Sequence, residues 1–255
     1  MDVLDPRLVL GAYAVGVFPM ADARDADSVY WVEPRRRAVL PLDGFRLSRS
    51  LRKTIAADRF RVTADRAFGD ILRLCAQSVD DRPETWINGS IERVFLTLHA
   101  RGYAHSIECW QGDALVGGLY GLALGRAFFG ESMVSRATDA SKVALAWLVA
   151  RLRVGGFALL DCQFQTPHLQ SMGAVEIGRA DYRGLLGAAL EGALEGALDG
   201  AAGLSSSPAS SSLRAAPDFF ALDALPAAGA PAEAAGMVSG PVAGQLIAQL
   251  LAHTS

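Results

Sequence analysis

The chain is poor in the residues by which metal, redox and nucleotide enzymes are usually recognised. Its 255 residues hold three cysteines, Cys75, Cys109 and Cys162, an odd number with no C-x-x-C spacing. With only four histidines beside them, a zinc cluster has little support, and the thiols read as buried, weakly polar side chains. Neither a G-x-G-x-x-G fingerprint nor a P-loop occurs, so Gly117-Gly118 and Gly155-Gly156 are read as backbone fit rather than phosphate cradles. Gly130-Glu131-Ser132-Met133-Val134 stops one glycine short of a G-x-S-x-G elbow. His105 stands beside Ser106, but neighbouring strand residues face opposite ways, so a serine hydrolase is set aside. No metal and no cofactor is expected.

Long apolar runs are also missing. The mean hydropathy is +0.24, but no stretch of roughly 18 uninterrupted apolar residues exists. A transmembrane helix is therefore not expected. The start, Met1-Asp2-Val3-Leu4-Asp5, lacks the basic and then apolar order of a secretory leader, which makes the cytoplasm the expected compartment and a membrane partner unexpected.

The net charge of −3 hides an asymmetry. From residue 187 onward six acids face Arg214 alone, which leaves 23 basic and 21 acidic residues for the rest. Basic residues gather between Trp31 and Arg66, among them Arg35, Arg36, Arg37, Arg49, Arg52 and Lys53. That stretch suits either a phosphate backbone or a plain solvated face.

Taken in order, Asp5 and Pro6 open a helix that Gly16 ends, and Val17-Phe18-Pro19-Met20 leaves it extended. Short strands follow at 30–32 and 38–42, then a helix capped by Ser48, a strand at 60–63 and a helix over 67–77. Asp80 to Asn88 forms a polar loop presenting Trp86, either a stacking platform or a plug at the core edge. A helix over 90–101 precedes a hairpin around Gln111-Gly112-Asp113 and a third strand from Ala127 to Glu131. Asp139 or Ser141 caps a long apolar helix to Leu152, followed by a strand at 158–164, a short helix from Pro167, a strand at 174–177 and a last helix opening at Tyr182. The fold class is α+β: a small N-terminal α+β lobe (1–45), a mixed sheet covered by helices (46–186), and an Ala/Ser/Pro-rich low-complexity tail (187–255) ending in an apolar segment, 242–251, able to form a docking helix. The order of elements in 46–186 resembles that of the acyl-CoA N-acyltransferases, a GNAT-like domain.

The stretch best suited to chemistry is Phe128 to Arg136. Glu131 follows two aromatics and a glycine at a strand end, and Asp161 and Gln163 alternate along the strand that begins near Ala158. On residues alone, Glu131 and Asp161 fit either a polar site beside an apolar pocket or structural ion pairs with Arg136 and Lys142.

Several uncommon strings occur together in order: Gly16-Val17-Phe18-Pro19, the 31–42 segment, Thr85-Trp86-Ile87, His105-Ser106, Leu115 to Gly121, Phe129-Gly130-Glu131-Ser132-Met133, Ala140-Ser141-Lys142 and Asp161-Cys162-Gln163. Over roughly residues 8–186 the chain resembles the leucyl/phenylalanyl-tRNA–protein transferase family. That resemblance implies transfer of Leu or Phe, with Met left open, from aminoacyl-tRNA to the α-amine of proteins beginning with Arg or Lys, creating an N-degron. By the same resemblance Glu131, Asp161 and Gln163 are catalytic, Trp86 and Met20 meet the tRNA 3′-adenosine, and Leu119, Phe128, Met133, Leu145, Leu148 and Leu160 form the aminoacyl pocket; on charge, the basic stretch, with Arg35, Arg36, Arg37, Arg49, Arg52 and Lys53, is then expected to meet the tRNA backbone. Met20 departs from the family, which often has an aromatic there. Two other classes remain open: a CoA-dependent N-acyltransferase, whose glycine loop Ser135 to Ala140 does not reproduce, and a non-catalytic RNA- or peptide-binding module.

Overall fold

A computed structural model describes residues 4–77, 85–191, 216–225 and 242–252. Helix α1 (Pro6–Ala14) starts as its sequence dictates, with the Asp5 side chain accepting from the Arg7 amide and Pro6 in the first turn. Gly16, at φ +85°, turns the chain where the Tyr182 ring leaves no room for a side chain: a Cβ would lie 2.8 Å from it. Strands β1 (Phe18–Met20) and β2 (Tyr30–Val32) then pair antiparallel as a small ribbon.

The remaining strands are β3 (Arg36–Val39), β4 (Arg61–Ala64), β5 (Ala104–Gln111), β6 (Ala114–Leu124), β7 (Ala127–Ser135), β8 (Leu159–Gln163) and β9 (Val175–Gly178). They form one seven-stranded sheet in the order β4-β5-β6-β7-β8-β3-β9. Strand β3 starts earlier than the 38–42 expected, because Arg36 and Arg37 already pair with β9, and it ends by Leu40, whose amide reaches Leu160 O at 2.9 Å, because Pro41 has no N–H to offer. It lies between β8 and β9, so a strand expected in a separate lobe is part of the main sheet.

Helices cover both faces. Helices α2 (Arg49–Ala56), α5 (Ala140–Val154) and α8 (Gly244–Ala252) pack on one side; α1, α3 (Phe68–Ala76), α4 (Gly89–Ala100) and α7 (Arg179–Leu190) pack on the other, each side with its own apolar core. Helix α6 (Pro167–Ser171) links β8 to β9. Helix α7 runs past residue 186, and the tail is not only linker: residues 216–225 and α8 dock on α5 and α2, burying Phe219, Leu222, Ile247 and Leu251. The apolar segment expected at 242–251 thus finds its seat on α2 and α5.

One feature of the sheet makes room for a site. Strands β7 and β8 run parallel, joined through α5, but pair only from Ala127↔Leu159 to Phe129↔Asp161. Beyond that, β7 stays with β6 and β8 turns to β3, so the two strands part. At the same point the β6–β7 register slips: Gly121 faces Gly130 and Tyr120 faces Ser132, which leaves Glu131 as the extra residue of a bulge.

Candidate active site

The parted strands enclose a cavity of about 290 Å³, near the lower end of small-ligand pockets. Its apolar wall comes from Leu119 on β6, Met133 on β7, Leu145 and Leu148 on α5, Leu160 on β8 and Leu169 on α6. Leu145 and Leu148 stand three apart on α5, so they share a face. Its polar side carries Glu131, Gln163, Thr166 and His168, and Trp86 and Phe164 stand on its rim.

Glu131 is only 8% exposed. Its Oε1 accepts from Tyr13 Oη at 2.8 Å and from Gln163 Nε2 at 2.9 Å. Its Oε2 is buried with no hydrogen-bond partner among the described residues. Burial raises the Glu131 pKa from the ordinary 4.5 to about 7, although both hydrogen bonds pull it back down. The Tyr13 hydroxyl is pushed the same way, first by burial and then by Glu131, and stays a donor.

Asp161 stands behind the cavity rather than in its wall. It is fully buried and receives Arg37 through both oxygens, at 2.6 to 3.0 Å, together with Tyr182 Oη at 2.7 Å and the Gln163 amide at 2.7 Å. The Arg37 guanidinium lies between the Phe18 and Tyr182 rings, 4.6 and 4.7 Å from their centroids, and also donates to Gly16 O. Burial alone would lower the Arg37 pKa, but Asp161 outweighs it and the pKa is raised. This pair fixes the backbone of Gln163, which holds a left-handed φ of 62°, a conformation that costs a non-glycine residue about 1 kcal/mol or more. The strain turns the chain out of β8 and leaves the Gln163 amide against Glu131.

Of the residues singled out in the sequence, Trp86, Leu119, Glu131, Met133, Leu145, Leu148, Leu160 and Gln163 line this one cavity. Phe128 does not; it packs against Phe157 and stacks on Phe219 at 5.8 Å, in the layer behind. Met20 is half-buried outside the lining, although the next residue ties the ribbon to the rim through Ala21 N and Trp86 O at 3.1 Å.

Besides Phe128, one expectation is corrected and one alternative falls. Arg37, grouped with the phosphate-facing cations, is 1% exposed and committed to Asp161, so no phosphate reaches it. Arg35, Arg36, Arg49, Arg52 and Lys53 are exposed, Arg36 in an ion pair with Glu176. Neither Arg136 nor Lys142 pairs with the buried acids: Arg136 donates to Gln77, and Lys142 holds Asp139 at 3.1 Å. The His105 ring and the Ser106 hydroxyl meet different carboxylates, Asp65 and Glu108, as their opposite faces require, while the Ser106 amide also donates to Asp65.

The sequence reading gives Tyr13, Tyr182 and His168 no place at the site. Tyr13 shares the buried face of α1 with Val9, a helical spacing of four, but nothing local announces a carboxylate 118 positions away.

The family model described as leucyl/phenylalanyl-tRNA protein transferase matches residues 39–187, and that of its N-terminal domain matches residues 2–35. The gap between them, residues 36–38, falls within β3. A leucyl/phenylalanyl-tRNA–protein transferase of Rhizorhabdus wittichii is 60% identical over 255 residues, all of both chains. One of Zymomonas mobilis is 63% identical over 181 residues, 71% of this chain and 68% of its own. One of Rhodospirillum rubrum is 58% identical over 188 residues, 74% of this chain and 88% of its own.

Proposed function

The chain belongs to the leucyl/phenylalanyl-tRNA–protein transferase family, and on that premise we propose that it moves Leu or Phe from the 3′ end of its tRNA to the N-terminal α-amine of proteins that begin with Arg or Lys. It is a transferase enzyme; the acceptor class, the marking of the product for proteolysis and the cytoplasm as its place of action are our reading. Among the described residues no helix is long and apolar enough to cross a membrane. The parted β7 and β8 support a GNAT-like core over 46–186, to which the segment 1–45 adds Tyr13 from α1 and, through β3 of the same sheet, Arg37.

The observation that carries this reading is the Glu131–Gln163 pair set against an apolar wall. The aminoacyl side chain occupies the space between Leu119, Met133, Leu145, Leu148 and Leu160, with its ester carbonyl toward the polar side. The reaction is aminolysis: a C–N bond forms as the bond to the ribose 3′ oxygen breaks. The ester is already activated, so orientation and a proton acceptor suffice. Glu131, with its pKa near 7, lies close to the 7.7–8.0 or so of an α-ammonium, so proton transfer between them is nearly balanced. Its unpartnered Oε2 receives that ammonium. Gln163 gives its N–H to Glu131, which leaves its Oε1 to accept from the attacking amine; Asp161 and Arg37 act through the Gln163 backbone. Trp86 stacks the terminal adenine, with Met20 beside it, and Arg35, Arg36, Arg49, Arg52 and Lys53 meet the tRNA backbone.

The test uses labelled Leu-tRNA and an Arg-initiated peptide, with labelled acetyl-CoA in a parallel reaction. Label reaching the peptide from tRNA alone is expected. Label from acetyl-CoA alone would establish a CoA-dependent N-acyltransferase, against which the start of α5 already stands: Ser135 to Ala140 holds no glycine with which to bring backbone N–H groups up to the phosphates of CoA.

A further inference from the structure

We propose that His168 is a catalytic residue of this site: its Nε2 takes a proton from the attacking amine and delivers it to the ribose 3′ oxygen as the ester breaks. The inference rests on the aminoacyl-transfer reading above and assigns a route for the second of the two protons that reaction must move.

The position of His168 is built from its neighbours. The left-handed turn at Gln163 carries the chain out of β8. Thr166 caps α6, its Oγ accepting from the Leu169 amide at 3.2 Å, and Pro167 occupies the first helical position. Leu169 is buried in the core, and the Ser171 hydroxyl donates to His168 O at 2.7 Å. The first turn of α6 is thus fixed, and His168 lines the cavity that Glu131 and Gln163 line. Glu131, Gln163, Thr166 and His168 belong to the polar lining of this cavity of about 290 Å³, so an aminoacyl ester seated in it lies among them.

His168 Nε2 is buried and has no hydrogen-bond partner among the described residues. Leaving such a nitrogen unpaired is costly unless a ligand supplies the missing N–H. Burial and the Lys142 cation on α5 lower its pKa, so the ring is neutral and an acceptor near pH 7.

The proton balance gives the ring a task that Glu131 does not fill. An acceptor α-ammonium loses one proton before it attacks, and Glu131 takes that one. Once the C–N bond has formed, the nitrogen carries a second proton in excess, while the departing 3′ oxygen needs one. Nε2 accepts the first of these demands and meets the second, and the ring ends neutral as it began.

The test is a rapid-quench single-turnover measurement on the full chain, with bound Leu-tRNA and an Arg-initiated peptide, comparing the native enzyme with His168→Ala and His168→Gln. Both variants are expected to lose on the order of a hundredfold in rate. Their tRNA affinity is expected to stay within about twofold, and added imidazole is expected to restore rate to His168→Ala. Glutamine accepts a hydrogen bond but cannot carry a proton, so near-native turnover in His168→Gln overturns the assignment, as does a failure of imidazole to rescue His168→Ala. If the native chain moves label and the variants match it, only the His168 role falls; if the native chain moves none, the transferase reading falls and takes this role with it.

Discussion

Gln163 Nε2 meets Glu131 Oε1 at 2.9 Å across a gap between two strands that are paired only as far as Phe129 and Asp161. The side chains close in hydrogen bonding what the backbone has left open. Each is placed by a local irregularity, Glu131 by the bulge opposite Tyr120 and Gly121, Gln163 by its left-handed φ. Both irregularities would be defects in a sheet meant only to be stable.

Glu131→Gln keeps the shape and the acceptor oxygen that Tyr13 and Gln163 use, so it isolates the charge. With a folded pKa of about 7 against an ordinary 4.5, native Glu131 binds its proton more tightly folded than unfolded. Its contribution is therefore fully present below pH 4.5 and is lost as pH rises through 7. Denaturation of the two proteins at a series of pH values should show the variant gaining on the native chain across that window, by about 3 kcal/mol at its upper end. Transfer activity should fall, and the rise of native activity with pH around 7 should disappear.

Gln163→Ala and Gln163→Gly remove the same amide but differ in backbone freedom. At a φ of 62°, glycine is expected to be the more stable of the two by about 1 kcal/mol. Turnover should collapse equally in both while tRNA binding survives. Near-normal turnover in either variant would falsify a positioning role for the amide.

Arg37 and Arg49 look alike in sequence and should behave oppositely. Arg37→Ala leaves Asp161 buried without its cation and should cost about 3–5 kcal/mol in chemical denaturation. Arg49→Ala, on the exposed face of α2, should change stability by no more than about 0.5 kcal/mol. Its effect belongs in a salt titration of tRNA binding, where losing one phosphate contact lowers the log-log slope by about 0.7–0.9.

The contrast shows where sequence reading stops. Caps and turns are local, so the Asp5–Pro6 start, the Ser48 cap, the hairpin at Gln111 to Asp113 and the Gly155 stop could all be read directly. The cavity wall was legible in part, because the motifs around Glu131 and Gln163 resemble a family: Leu119, Met133, Leu145, Leu148 and Leu160 line it, whereas Phe128 lies behind it and Leu169 was not expected there. Arg37 was not, since its surroundings come from Phe18, Asp161 and Tyr182 on three other elements, and a charge pattern sees only a cation among cations. The place of β3 between β8 and β9 is equally invisible: a four-residue strand carries no mark of its partners.

Donor choice should follow the volume left between α5 and β8. Leu148 faces the cavity from α5, and enlarging it by Leu148→Phe takes space from the aminoacyl side chain. The ratio of kcat/KM for Leu-tRNA over Phe-tRNA should rise by about 10-fold or more, the scale on which apolar pockets discriminate by size. Leu148→Ala should move the same ratio the other way. An unchanged ratio in both would place the side chain outside this cavity.

The tail makes the last prediction, because its composition reads as linker and its contacts do not. Phe219 stacks on His105 at 4.2 Å and on Phe128 at 5.8 Å, and its carbonyl accepts from Arg151. Arg151 in turn holds Asp223 through both oxygens at 2.6 and 2.8 Å. Glycines on both sides fit the tail to the body: a Cβ at Gly155 of the body would lie 2.2 Å from Asp218 O, and one at Gly244, which opens α8 of the tail, would lie 1.9 Å from Ile55 O. Truncating a buried Phe to Ala costs about 3–5 kcal/mol when its surroundings cannot collapse. Phe219→Ala should therefore lower the melting temperature of the full chain by on the order of 10 °C. Gly155→Ala should destabilise as well, although it deletes nothing, because it displaces the same segment. A linker would tolerate both, so two native-like melting curves would detach the tail from the fold.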